Sequence, residues 1–227
     1  SNGSNDWSFE EFWERVEVMK ELSFNSEKDW LEIRKGRIGG SSIGTILGYN
    51  KYQTPYELWK ELIGREVPKD ISDKPCIIRG KTAEKPLIEL YRVLNPSKNV
   101  VEGNQVVYQL ESNEMFIANP DGFIDDDTIL EIKTASIRDW EEWKDKIPMS
   151  YYCQVMWYMW IMKRPKAVLF AMIEKISFDG SEPNRYLKTY HINFNQEEMD
   201  FILKEVNTFI EKVEKKEWNE FKIKLEV

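Results

Sequence analysis

Apolar and polar positions alternate with a period of two most clearly between residues 115 and 134. Met115-Phe116-Ile117-Ala118 leads through Asn119 into Pro120-Asp121-Gly122-Phe123-Ile124, and Thr128-Ile129-Leu130-Glu131-Ile132-Lys133-Thr134 follows. Asp125, Asp126 and Asp127 between the two runs have the composition of a solvated turn, so the pattern predicts a hairpin. Successive side chains of a strand point to opposite faces. Ile129, Glu131 and Lys133 therefore share one face, and Leu130, Ile132 and Thr134 share the other. A Glu and a Lys on an otherwise apolar face need a reason, because buried charge is costly unless it is paired or bound to metal.

Elsewhere the period changes to that of a helix. Phe9, Phe12, Trp13, Val16 and Met19 predict a helix over 6–22 with its acidic face outward. Thr54-Pro55-Tyr56-Glu57 is a capping box with Pro at the first helical position, and Gly64 ends that helix. Residues 65–76 are predicted as a loop. Arg79 to Glu84 opens a further helix with Ala83, Leu87 and Leu94 on its apolar stripe and Pro86 in its first turn. Val100 to Gln109 reads as one strand, pairing with the 115–124 strand and through it with the Glu131 strand. Pro148 or Ser150 begins a helix that is apolar almost all round, Tyr151 to Met162, which predicts a core helix. Lys166–Glu174 and Tyr186–Phe194 read as strands. Asn193 or Asn195 precedes a helix carrying Met199, Ile202, Val206 and Phe209, and the charged tail 214–227 is expected to fray or form a short helix. The order gives a mixed α/β sheet flanked by helices, a single domain over 1–227 with no internal repeat.

Composition narrows the chemistry. There are two cysteines, Cys76 and Cys153, without paired spacing, which argues for a reducing compartment and against cysteine-built zinc or iron–sulfur sites. The single histidine, His191, excludes hydrolases that need two. No apolar run reaches the roughly 18 residues that span a bilayer, so no membrane partner is expected, and a cytoplasmic location is. The net charge of −8 counts at first against nucleic-acid binding. It is unevenly spread: residues 30–92 hold twelve basic against eight acidic side chains and form the only net-positive segment. Local field, not total charge, decides where a phosphate chain lies.

That segment contains Trp30 to Gly48, W-L-E-I-R-K-G-R-I-G-G-S-S-I-G-T-I-L-G. Arg34, Lys35 and Arg37 run into Gly39-Gly40, and Ser41 or Ser42 is expected to cap a short helix. Such an arrangement either binds an anion or is a capped helix beside solvated arginines. Four further polar residues have two readings. Glu84 is a first-turn acid favoured by the helix dipole or a site residue. Gln154 is a core amide bonded to backbone or faces Glu131 and Lys133, with Tyr158 four residues on along the same helix face. Glu131 and Lys133 themselves form an ordinary surface ion pair or, with Asp121, hold a divalent cation beside an ammonium.

Pro120-Asp121 followed by Glu131-x-Lys133 resembles the PD-(D/E)xK nuclease signature, and the ordered pieces around it resemble the phage lambda exonuclease family, the YqaJ-type viral recombinases. Those pieces are W-x3-R-x-G-x-I-G-G-S (Trp30 to Ser41), R-G-x3-E (Arg79 to Glu84), N-P-D-G (Asn119 to Gly122), L-E-I-K-T (Leu130 to Thr134) and Q-x3-Y (Gln154 to Tyr158). The resemblance implies a restriction-endonuclease-like core over 79–194, an N-terminal helical part over 1–64 and a helix with tail over 196–227. It implies a Mg²⁺-dependent 5′→3′ double-strand DNA exonuclease, with Mn²⁺ as a substitute metal. Asp121, Glu131 and the Ile132 carbonyl would hold the metal and Glu84 would assist. Lys133 would activate water, and Gln154, supported by Tyr158, would position the lysine or the water. Arg34 and Ser41, with Arg37 and Asn119, would meet the DNA and its 5′-phosphate. Asn119 departs from the small hydroxyl residue the family often has before Pro-Asp-Gly. Double-stranded DNA ends, a single-strand annealing protein and a homo-oligomeric trimeric ring are the implied partners, in a phage- or prophage-encoded protein of a bacterial host. The alternatives are an endonuclease or nickase of the same superfamily, or a catalytically silent DNA-binding module.

Overall fold

The computed structural model describes residues 19–103 and 105–218. In chain order these form β1 (Met19–Ser23), α1 (Glu27–Arg34), α2 (Gly40–Ile46), α3 (Pro55–Leu62), α4 (Pro75–Leu94), β2 (Val100–Glu102), β3 (Val106–Leu110) and β4 (Ile117–Ala118). Then follow β5 (Gly122–Ile124), β6 (Thr128–Ile137), α5 (Met149–Met162), β7 (Lys166–Lys175), β8 (Asn184–Asn193) and α6 (Gln196–Lys215).

The predicted hairpin is β5–β6, antiparallel with Gly122 opposite Leu130 and Ile124 opposite Thr128. Asp125 turns it with φ +51, a left-handed conformation that Asp tolerates. β6 continues past its short partner and pairs in parallel with β7 over ten positions, from Thr128 opposite Lys166 to Ile137 opposite Lys175. β2 and β8 close the edges, giving the order β2-β5-β6-β7-β8. This is the mixed sheet flanked by helices that the sequence predicts.

β6 is buried on both faces, and its alternation decides what each face meets. Leu130 and Ile132 pack with Leu87, Ile88 and Tyr91 of α4 and with Phe170. Ile129 faces the other way, into the core that includes α5, α2 and α6. Removing each of these aliphatic side chains from water contributes roughly 1.5–3 kcal/mol. α5 is apolar all round because it is enclosed: Val155, Met156, Trp157 and Met159 are fully buried between the sheet and the outer helices. The Trp157 indole N–H donates to the Ile117 carbonyl at 2.9 Å.

The structure departs from the periodic reading in five places. Residues 6–18 of the expected N-terminal helix lie outside the described residues, and Met19–Ser23, read as its end, form a strand paired with β3. The expected single strand over 100–109 is two, because Gly103 and Gln105 (φ +55) turn the chain between sheets. β2 joins β5, whereas β3 joins β1 and β4 in a separate three-stranded sheet. α4 begins at Pro75, one turn before the expected start, so the 65–76 loop is shorter and Pro86 lies inside the helix. α2 is capped by Gly39, not by Ser41 or Ser42. The tail lies outside the described residues beyond Trp218.

The turn that aims β6 is held from outside. Arg164, just after α5, donates from Nη1 to the carbonyls of Asp125 (2.8 Å) and Thr128 (3.1 Å) and lies 4.7 Å over the Phe123 ring. Arg164→Ala leaves two carbonyls without their charged donor, so we expect a loss of about 2–4 kcal/mol. An unchanged urea midpoint in equilibrium unfolding would refute the clamp.

Candidate active site

The site starts where β5 stops. Backbone pairing between β5 and β6 ends at Gly122–Leu130. Two residues on, the Ile132 N–H donates instead to Asp121 Oδ2 at 2.8 Å. The N–H and C=O of one strand residue leave on the same side, so the Ile132 carbonyl faces this same unpaired edge. Asp121 is held there by the residue that follows β2: the Gly103 N–H donates to its carbonyl at 2.9 Å. A Cβ on Gly103 would meet the Pro120 carbonyl oxygen at 2.3 Å, so only glycine permits the approach.

Glu131 comes from the face of β6 that meets α5 and is 3% exposed. Its Oε2 is buried without a hydrogen-bond partner. The Asp121 and Glu131 carboxyls lie within hydrogen-bonding reach of each other. Burial, and then the neighbouring Glu131, pushes the Asp121 carboxyl well above the usual range. Glu84 approaches from the middle of α4, not from a first turn as the sequence suggested. Desolvation, and then the charge of Asp121, pushes it up to about 7, with Lys133 acting in the opposite sense. Among the described residues no three acidic, Cys or His side chains converge closely enough to hold a metal by themselves, so Glu84 stands back from the Asp121–Glu131 pair. Lys133 follows on the Glu131 face, its Nζ 4.6 Å from the centroid of the Tyr151 ring.

A second group lies behind α5. Gln154, buried, donates from Nε2 to the Tyr158 hydroxyl at 3.1 Å. It therefore bonds a side chain, not the backbone. Burial first, then the charge of Glu131, raises the Tyr158 pKa, and the Gln154 hydrogen bond and Arg34 oppose this, so the carboxylate pair and Arg34 both act on one phenol. α2 is wedged against it: a Cβ on Gly40 would come within 2.5 Å of Tyr158 Cε1 and 2.8 Å of Gln154 Cγ. Arg34 donates from Nη2 to Ser41 Oγ at 2.7 Å and stacks 4.3 Å from the Trp30 ring. It meets no carboxylate among the described residues; burial lowers its pKa, and an arginine still remains a cation.

Two of the expected DNA-contacting residues are otherwise engaged. Arg37 donates to the Ile33 carbonyl and closes the end of α1. Asn119 accepts from the Trp30 indole at 3.1 Å and donates to the Val106 carbonyl at 2.8 Å, so both ends of its amide are used in holding Trp30 and β3. The periodic reading gave no role to Trp30, Gly40 or Tyr151. Trp30 and Gly40 lie inside the quoted W-x3-R-x-G-x-I-G-G-S piece, but only contacts across the fold show what each touches.

A divalent cation fits the carboxylate pair on one observation above others. A buried carboxylate oxygen with no donor, beside a second carboxylate, is an arrangement that burial alone disfavours. Asp121, Glu131 and the Ile132 carbonyl are hard oxygen donors of the kind Mg²⁺ takes.

Solved exonucleases share this mixed sheet and its flanking helices. The alkaline exonuclease LHK-Exo from Laribacter hongkongensis superposes with TM-score 0.63 at 19% identity, covering 83% of this chain and 93% of its own. A phage-related exonuclease from Haemophilus somnus 129PT superposes with TM-score 0.53 at 15% identity, covering 79% of this chain and 94% of its own. The protein belongs to the YqaJ-like viral recombinase domain family, whose profile it matches over residues 29–165. It is 33% identical over 150 residues to the uncharacterized protein YqaJ of Bacillus subtilis (strain 168), a stretch that is 65% of this chain and 46% of that protein. The chain thus spans about half the length of that relative.

Because Asp121 and Glu84 keep protons in the folded state that the unfolded chain releases, they stabilise the metal-free protein at low pH. That contribution is lost as the pH rises through the carboxylate range to about 7. Glu131→Gln removes one buried charge and offers Asp121 an N–H. In EDTA at pH 8 we expect this variant to melt about 2–4 °C above wild type. Mg²⁺ should then raise the melting temperature of wild type but not of the variant. An equal rise in both proteins would remove Glu131 from the metal site.

Proposed function

We propose that this protein is a Mg²⁺-dependent deoxyribonuclease that degrades double-stranded DNA from its ends in the 5′→3′ direction during phage-type recombination. The observation that carries the reading is the unpartnered Glu131 oxygen beside Asp121, with the Lys133 ammonium on the same strand face. Asp121, Glu131 and the Ile132 carbonyl would hold Mg²⁺, for which Mn²⁺ would substitute, and Glu84 would assist. When bound, such a cation supplies positive charge at the scissile phosphate and makes water a better nucleophile at neutral pH. Lys133 orients the attacking water and offsets the charge that grows on the phosphoryl oxygens. The P–O3′ bond breaks, the 3′ oxygen leaves with a proton, and the phosphate stays on the shortened strand. Each cut therefore creates a new 5′-phosphate.

Arg34 and Ser41 would receive that phosphate. A terminal phosphate carries more charge than an internal one and suits a guanidinium that has no carboxylate of its own. Gln154 and Tyr158 form the wall shared by this pocket and the carboxylates. Asn119 serves indirectly, by holding Trp30 under the guanidinium. Two neighbours agree with this reading: LHK-Exo, also solved in complex with dAMP, and SOX, solved in a DNA complex. The single-strand annealing partner, the trimeric ring and the bacterial cytoplasmic setting belong to the same reading through the family.

Linear duplexes labelled separately at each end should be digested from the 5′ ends in Mg²⁺, and closed circles should stay intact. Cleavage of the circles would favour the endonuclease reading. Lys133→Ala should lower the rate at least about 10²-fold without unfolding the protein; a folded, fully active Lys133→Ala protein would end the nuclease assignment. Arg34→Ala should slow 5′-phosphoryl ends roughly 10- to 100-fold and scarcely affect 5′-hydroxyl ends, compared at one salt concentration. Equal slowing of both would make Arg34 a general backbone contact.

A further inference from the structure

Lys133 is held by an aromatic ring and not by an acid. Its Nζ lies 4.6 Å from the Tyr151 centroid, and it forms no ion pair among the described residues. Tyr151 stands in the first turn of α5, half-buried. Its ring leans on Trp143, with centroids 5.8 Å apart and planes at 55°. Trp143 is 2% exposed and is itself pinned: its ring meets Tyr190 at 5.8 Å, and its carbonyl accepts the Tyr190 hydroxyl at 2.6 Å. The connection between β6 and α5 thus braces Tyr151 from β8.

The choice of partner has a chemical consequence. An aromatic face attracts an ammonium through the ring quadrupole and engages at most one of its three N–H groups, weakly, so the others stay available as donors. A carboxylate in the same place would draw the ammonium into an ion pair and compete with a substrate phosphate. A lysine with four rotatable bonds and no partner would spread over many positions.

We propose that Tyr151 is the positioning residue for Lys133: its ring fixes the ammonium near the Asp121–Glu131 pair and leaves N–H groups free for the scissile phosphate and the attacking water. This rests on the reading of Lys133 as catalytic. The ring and not the hydroxyl is the working part, so Phe should serve in its place. A leucine fills much of the volume but has no quadrupole. Trp143 acts one step further out, by setting the plane of the Tyr151 ring.

The test measures digestion of 5′-phosphoryl linear duplex at saturating Mg²⁺. Tyr151→Phe should stay within about twofold of wild type, and Tyr151→Leu should lose roughly 3- to 30-fold in kcat with KM unchanged. Tyr151→Leu combined with Lys133→Ala should be no slower than Lys133→Ala alone. Phenylalanines bearing one, two or three ring fluorines at position 151 keep the shape while weakening the quadrupole, and kcat should fall stepwise along the series. That series also decides the matter if Tyr151→Leu does not fold. A flat fluorine series, a loss in Tyr151→Phe as large as in Tyr151→Leu, or additive loss in the double variant would overturn the assignment. If Lys133→Ala is inactive and the fluorine series is flat, the nuclease reading stands and the role of Tyr151 falls. If Lys133→Ala is fully active, the nuclease reading itself has failed.

Discussion

A carboxylate buried on the central strand of a sheet is the constraint around which this molecule is arranged. Glu131 sits among apolar neighbours with one oxygen unpartnered, a position that costs stability unless something positive fills the space beside it. The surrounding geometry leaves that space. β5 ends early, so the backbone of β6 at Ile132 turns to the Asp121 side chain in place of a neighbouring strand. The residue that follows β2 holds Asp121 there, and α4 brings Glu84 within electrostatic range. The pKa displacements share one cause: burial of negative charges close together without a full complement of positive ones.

Rigid elements hold this unfavourable pair in place. Ten parallel pairings with β7 fix β6, and the two carbonyl bonds from Arg164 fix the turn that precedes it. The cost at Glu131 is offset by the aliphatic side chains on either side of it, Leu130 and Ile132 toward α4 and Ile129 toward α5. A site built on strands and braced helices keeps its groups within narrow positional tolerances.

α2 and α5 pack without room for a side chain at one point. Gly40 of α2 lies so close to Tyr158 and Gln154 that no side chain fits between them. Arg34 and Glu131 both act electrostatically on that phenol, in opposite senses. Asn119 shows how the family pattern can change at one position: its amide holds Trp30 by one end and β3 by the other, a structural task that a small hydroxyl group cannot reach to perform.

Much of this was legible in the sequence because it follows from period and local chemistry. Alternation along 128–134 determined the hairpin, the two faces of β6 and the placement of Glu131 and Lys133 together. The capping box at Thr54, the apolar helix at 151–162 and the Asn195 cap were each set by residues within a few positions of one another. The ordered motifs determined the family. Tertiary structure decided what depends on residues distant in the chain. Met19–Ser23 has helical spacing but forms a strand because β3 offers an edge. α4 reaches back to Pro75 and takes Pro86 into its interior, where packing on the sheet outweighs a local helix breaker. Ser41 gives up the cap of α2 to Gly39 and meets Arg34 instead. Tyr151 beneath Lys133, Trp30 bonded to Asn119 and Gly40 against Tyr158 are juxtapositions between separate elements. No period along one segment encodes them, because a side-chain contact across the core is fixed only when both elements are packed.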